Sequence, residues 1–103
     1  KSEVPVLYLP ACVIDLGRAE VTKGGETFVL TAKEHAILTA LCRNANRVVT
    51  TDTLCQCAWG DDSYGYENTL MVHIRHIREK IESNPSEPAA LLTVKGLGYK
   101  LVV

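Results

Sequence analysis

Glu67-Asn68-Thr69-Leu70-Met71-Val72-His73-Ile74-Arg75-His76-Ile77-Arg78-Glu79-Lys80-Ile81-Glu82 is the stretch on which the reading of this chain turns. Set at roughly 100° per residue, Leu70, Ile74, Ile77 and Ile81 gather on one side, which predicts an amphipathic helix from Glu67 to Glu82 with a core-facing stripe. Opposite that stripe lie Asn68, Val72, Arg75, His76 and Glu79, flanked by Thr69, His73 and Lys80 on one side and by Met71 and Arg78 on the other. Val72 is the informative residue. A β-branched apolar side chain centred on the solvent face of a basic helix serves no core, yet it suits contact with a thymine methyl in a DNA major groove. The residues around it are of matching chemistry. Asn68 and His76 suit base edges, Arg75, Arg78 and Lys80 suit phosphates, and Thr69 suits a phosphate near the helix N-terminus.

After this helix, Pro85 and Pro88 stop the pattern, and Leu91 to Val103 reads as a β-hairpin turning at Lys95 to Gly98. A glycine-tipped hairpin behind a basic helix is a wing. Lys95 sits at its tip, positioned for a minor groove or a phosphate, with Thr93 and Tyr99 at its base as expected phosphate contacts.

Before the helix, Val6–Leu9, Val13–Asp15, Glu20–Thr22 and Glu26–Leu30 read as short strands, with Gly24-Gly25 as a hairpin turn whose two residues both tolerate positive φ. Thr31 and Glu34 form a capping box that opens a first helix, with Leu30 as the staple residue, Ile37, Leu38, Leu41 and Cys42 as its stripe, and Asn44-Ala45-Asn46 as its stop. Val48-Val49 precedes a second capping run, Thr50-Thr51-Asp52. Leu54, Cys55, Ala58 and Trp59 then form the buried arc of a short helix ending at Gly60. Trp59 fits either a core position or an edge from which its indole N–H reaches a phosphate. The stretch 60–67 is a polar, acidic connector carrying Tyr64 and Tyr66. The fold class is therefore α+β: a winged helix-turn-helix with an N-terminal four-stranded antiparallel sheet, three helices and a C-terminal hairpin wing.

Composition sets the outer bounds. With 103 residues and 47% hydrophobic content the chain fits one domain, residues 1–103. Its net charge of −1 argues against DNA, since phosphate contacts dominate such affinity, but the charge is unevenly placed. Residues 1–67 hold six Lys/Arg against nine Asp/Glu, and residues 68–103 hold five against three, so the basic part is the C-terminal third. No stretch approaches the roughly 18 uncharged apolar residues of a membrane span, and no secretory pattern opens the chain, so the cytoplasm is expected. A start at Lys1 suggests a piece of a longer protein. The four cysteines lack zinc-knuckle spacing, and in a reducing cell they read as small hydrophobes. Cys57 is expected to be more exposed than Cys55, which makes it the one candidate for redox chemistry. His73 and His76 have metal-pair spacing without a carboxylate or thiolate beside them. No metal or cofactor is expected, and no nucleophile, base and orienter cluster marks an enzyme.

Leu30-Thr31-Ala32-Lys33-Glu34, Val48-Val49-Thr50, Ala58-Trp59-Gly60, Thr69 through Lys80 and Thr93-Val94-Lys95-Gly96-Leu97-Gly98-Tyr99 together resemble the C-terminal effector domain of OmpR/PhoB-family response regulators. The resemblance spans essentially the whole chain. It implies that the third helix reads the major groove and the wing the adjacent minor groove. It also implies a receiver domain absent from this chain and phosphorylated by a cognate sensor kinase, self-association on tandem DNA half-sites, and a 60–67 loop, with Asp61, Asp62, Tyr64 and Tyr66, that touches RNA polymerase. By position, Trp59, Asn68, Thr69, His73 and Arg75 match phosphate-contacting sites, and Val72 and His76 match base-facing ones. Three residues depart from the family pattern: Met71 where Asp or Asn is frequent, His76 where Arg or Lys is frequent, and Lys95 where Arg is common. Imidazole and ammonium are poorer contacts than guanidinium, so weak monomeric binding that depends on pairing is expected. A winged-helix protein-interaction module without DNA contacts is the competing reading, motivated by the net charge and by Glu79.

Overall fold

Each local signal in the first thirty residues has a structural counterpart. The computed structural model describes residues 6–60 and 67–103. β1 (Val6–Tyr8), β2 (Val13–Asp15), β3 (Glu20–Lys23) and β4 (Glu26–Val29) form an antiparallel sheet in sequential order. Gly24 and Gly25 both take positive φ, +61° and +84°, which puts Lys23 opposite Glu26 and Val21 opposite Phe28. That register turns Ile14 and Val21 into the core, both fully buried.

α1 (Ala32–Arg43) opens on the expected capping box. The Thr31 hydroxyl accepts from the Glu34 N–H at 3.2 Å, and Glu34 Oε1 accepts from the Thr31 N–H at 2.9 Å. α2 (Thr51–Trp59) is capped by Thr50, whose hydroxyl accepts from the Thr53 N–H. α3 (Glu67–Ile81) buries Leu70, Ile74, Ile77 and Ile81 to 1% exposure or less, packing them against α1, α2 and β3. The predicted stripe is thus the buried stripe. The helix ends one residue earlier than expected, and Glu82 leaves the helical path. Its carboxylate is buried and accepts from the backbone N–H groups of Ala89, Ala90 and Leu91 at 2.7–3.3 Å, which folds the connector back toward the wing.

The wing is β6 (Leu91–Val94) and β7 (Gly98–Leu101), as expected, but it has a third member. β5 (Val48–Thr50) pairs antiparallel with β7, giving a sheet ordered β5-β7-β6. Three residues running straight into a helix cap carry no alternation of their own, so this strand shows only once β7 supplies its partner. Gly98 is what lets the two strands approach. A Cβ there would lie 2.1 Å from the Val49 carbonyl oxygen and 2.7 Å from the Thr50 Cα, both backbone atoms with no freedom to yield.

Gly98→Ala is therefore expected to destabilise the domain by about 3 kcal/mol through forced strand separation. Gly96→Ala, which meets open space but must hold φ +75°, is expected to cost about 1 kcal/mol. Urea unfolding midpoints compare the two directly, and equal effects would mean that the β5–β7 approach is not constraining.

Candidate nucleic-acid interface

Burying the four-residue stripe of α3 forces the opposite side outward. Asn68, Thr69, Met71, Val72, Arg75, His76 and Glu79 are all exposed. Val72 retains 52% of its surface and Met71 59%, an unusual pair for a helix that already has a complete core face. Asn68, Met71, Val72, Arg75 and Arg78 line a shallow groove with Pro85 and Ser86. Met71 also borders a second groove, between Thr50–Asp52 and the wing residues 93–99. It thus forms the ridge between helix and wing. Arg75 lies 3.7 Å from Glu79 one turn on, an exposed pair of small energetic worth that leaves the guanidinium available.

Arg78, Thr93 and Tyr99, all expected at phosphates, form one cluster. Arg78 Nε donates to the Leu91 carbonyl at 3.0 Å, its Nη2 donates to the Thr93 hydroxyl at 2.8 Å, and its guanidinium lies 6.0 Å from the Tyr99 ring centroid. Tyr99 is 8% exposed, and burial pushes its hydroxyl above the usual tyrosine range, opposed by the Arg78 charge. Arg78 therefore ties α3 to the wing. Two of its five N–H groups are committed and three remain for an outside acceptor. Lys95 is exposed at the wing tip, which is tied to the start of α2 by the Thr51 N–H donating to the Leu97 carbonyl at 3.2 Å.

On the other flank, the His73 and Trp59 rings meet with centroids 5.7 Å apart. His73 Nδ1 is buried and finds no hydrogen-bond partner among the described residues, so an outside contact of this ring runs through Nε2. Lys33, a residue for which the sequence suggested no role of its own, lies beside this pair. Its Nζ donates to the Ala58 carbonyl at 2.6 Å and lies 5.3 Å from the Trp59 ring. Only the fold of α1 onto α2 reveals it.

Lys80 is not at the interface. It donates to the buried carboxylate of Glu34 and, at 3.1 Å, to the Val29 carbonyl, which pins α3 to the start of α1. Its position on the wheel beside Thr69 and His73 is correct, but at that level of the helix the flank faces α1 rather than solvent. Lys23 acts similarly at the helix end, donating to the carbonyls of Glu79 and Glu82 at 2.7 and 2.9 Å and so satisfying part of the α3 C-terminus. Burial alone would raise the Glu34 carboxyl, but hydrogen bonds from Lys80 and the Thr31 backbone, with the Lys80 and His76 charges, hold it below its ordinary value. The loop residues Asp61, Asp62, Tyr64 and Tyr66 lie outside the described residues. Cys57 is exposed and Cys55 buried, while burial pushes the Cys12 and Cys42 thiols up to about 11. No helix among the described residues is long and apolar enough to cross a membrane.

The family profile described as "Transcriptional regulatory protein, C terminal" matches residues 25–101. The chain is 44% identical over 84 residues to the transcriptional regulatory protein YvrH of Bacillus subtilis, covering 82% of this chain and 35% of that protein. The chain thus spans about a third of that relative's length. Among solved structures, the Thermotoga maritima response regulator DrrB, an OmpR/PhoB homolog, superimposes with a TM-score of 0.82 at 29% identity, covering 96% of this chain and 45% of the other. The DNA-binding domain of Klebsiella pneumoniae RstA, solved in complex with RstA box, gives a TM-score of 0.76 at 26% identity, covering 94% of this chain and 96% of the other.

The Glu34–Lys80 pair yields a pH prediction. A carboxyl held low in the folded state contributes stability above its unfolded pKa of about 4.3 and loses that contribution as pH falls through the lower folded value. Glu34→Gln is expected to cost about 2 kcal/mol at neutral pH, reduced from a fully buried pair because Lys80 is partly solvated, and to flatten the decline in stability below about pH 5. Thermal melts of both proteins from neutral to acid pH check this, and parallel pH profiles would contradict it.

Proposed function

The chain belongs to the family of transcriptional regulatory protein C-terminal domains, which bind DNA and regulate transcription and are not enzymes, and from that membership we propose how its own residues divide the work. α3 enters the major groove with its outward face, and the wing enters the adjacent minor groove. Val72, Asn68 and His76 contact bases. Trp59, Thr69, His73, Arg75 and Arg78 contact phosphate, Thr93 and Tyr99 support that contact by holding Arg78, and Lys95 enters the minor groove. The observation that supports this most strongly is Val72, half exposed at the centre of the helix face and bracketed one turn away by Asn68 on one side and by Arg75 and His76 on the other.

Thr69 and Asn68 lie in the first turn of α3, where free backbone N–H groups and the helix dipole favour an anion. Lys80 is left out of the set because its ammonium is held by Glu34. The exposed cations on this face are thus few, Arg75 and Lys95 foremost, with Arg78 partly committed. Few phosphate contacts give modest affinity for a single copy. Occupancy is then raised by pairing two copies on tandem half-sites, where the second copy binds at high effective concentration.

The wider setting is that of a two-component system in the cytoplasm. A receiver domain on the same protein, phosphorylated by a cognate sensor kinase, promotes self-association, and the 60–67 loop contacts RNA polymerase. The larger size of the YvrH relative supports a multi-domain parent protein.

Arg75→Ala is expected to weaken binding several-fold on all sequences alike and to reduce the slope of log affinity against log salt by about 1, the signature of one lost phosphate contact. Fluorescence anisotropy on a duplex recovered by selection from random DNA, titrated between about 50 and 200 mM salt, reads both quantities. Unchanged affinity in Arg75→Ala and Arg78→Ala would favour a protein-interaction module instead.

A further inference from the structure

Met71 is more exposed than Val72, at 59% against 52%, and takes no part in the core. Its helix has a complete buried stripe without it, and it lines both the groove toward Asn68, Arg75 and Pro85 and the groove toward the wing. An exposed methionine on the ridge between a recognition helix and a wing faces whatever occupies those grooves. Resting on the assignment of α3 to the major groove, we propose that Met71 is a second reader of thymine methyl groups beside Val72, so that the preferred site carries thymines at two adjacent base pairs beneath this part of the helix.

The spacing supports the pairing. Neighbouring residues on a helix diverge by about 100° around its axis while advancing only about 1.5 Å along it, so Met71 and Val72 reach different bases across the groove rather than the same one. Met71 sits to one side of the centre of the outward face, but its unbranched thioether is longer than the valine side chain and bends freely, which makes up the distance. An apolar reader there distinguishes thymine from the other bases by its 5-methyl group, the apolar feature of the major-groove edge.

The test removes single methyl groups from the DNA. In a duplex recovered by selection from random sequence, each thymine is replaced in turn by deoxyuridine and binding of the 103-residue domain is measured by anisotropy. Loss of one buried methyl is expected to weaken binding about fourfold at each of two adjacent base pairs. Met71→Ala is expected to abolish the deoxyuridine effect at one of them and Val72→Ala at the other. Both side chains are solvent-exposed, so neither change disturbs the core, and circular dichroism confirms the fold. A wild-type deoxyuridine profile retained in Met71→Ala, or only one sensitive position, would overturn the proposal while leaving DNA binding intact. Failure to bind any duplex would instead overturn the assignment of α3, and this inference with it.

Discussion

Burial of Leu70, Ile74, Ile77 and Ile81 is the constraint on which the rest of the molecule depends. Each of these side chains contributes about 1.5–3 kcal/mol by leaving water, and together they fix the rotation of α3 about its axis. A turn of that helix by a single residue position, about 100°, would carry all four away from the core, so the outward face is fixed by the inward one. Three cations then hold the helix from three directions. Lys80 reaches Glu34 at the start of α1, Lys23 reaches the carbonyls at the end of α3, and Arg78 reaches the wing. The supports of this face are one internal ion pair and side-chain hydrogen bonds to backbone and to Thr93.

This use of cations explains how a chain of net charge −1 is built to meet DNA. Lys23 and Lys33 each commit a donor to helix-end carbonyls, and Lys80 is paired with a buried carboxylate, so these cations serve the fold first. What remains on the face is a sparse set of charges around an apolar centre. On the proposed reading, recognition by such a surface leans on shape and methyl contacts, with less of the salt-sensitive attraction that a densely basic helix provides. The Arg78–Thr93–Tyr99 cluster couples the two halves of the face, since displacing the wing would leave Arg78 without its acceptors.

Much of this was legible from residue order alone. The Gly24-Gly25 turn, the Thr31–Glu34 box, the Thr50 cap and the α3 stripe are local patterns, and each depends on residues within a turn or two of one another. What escaped was long-range. β5 needs β7, Lys33 needs the end of α2, Lys80 needs Glu34 46 positions away, and Glu82 needs the backbone at Ala89–Leu91. A helical wheel gives the angle of a side chain but not what packs against the flank at each level, which is why Lys80 read as a phosphate contact. Glu82, expected as the last residue of the helix, instead follows its end at Ile81 and turns its carboxylate to the connector backbone.

The central claim is that the outward face of α3 and the wing tip form one DNA-reading surface. Backbone amide chemical shifts, followed by NMR while the domain is titrated with a selected duplex, test it most directly. The account predicts the largest changes at Asn68, Thr69, Met71, Val72, Arg75 and Lys95, with the outer surface of the β1–β4 sheet unaffected. Changes concentrated on that sheet, with α3 and the wing silent, would contradict it.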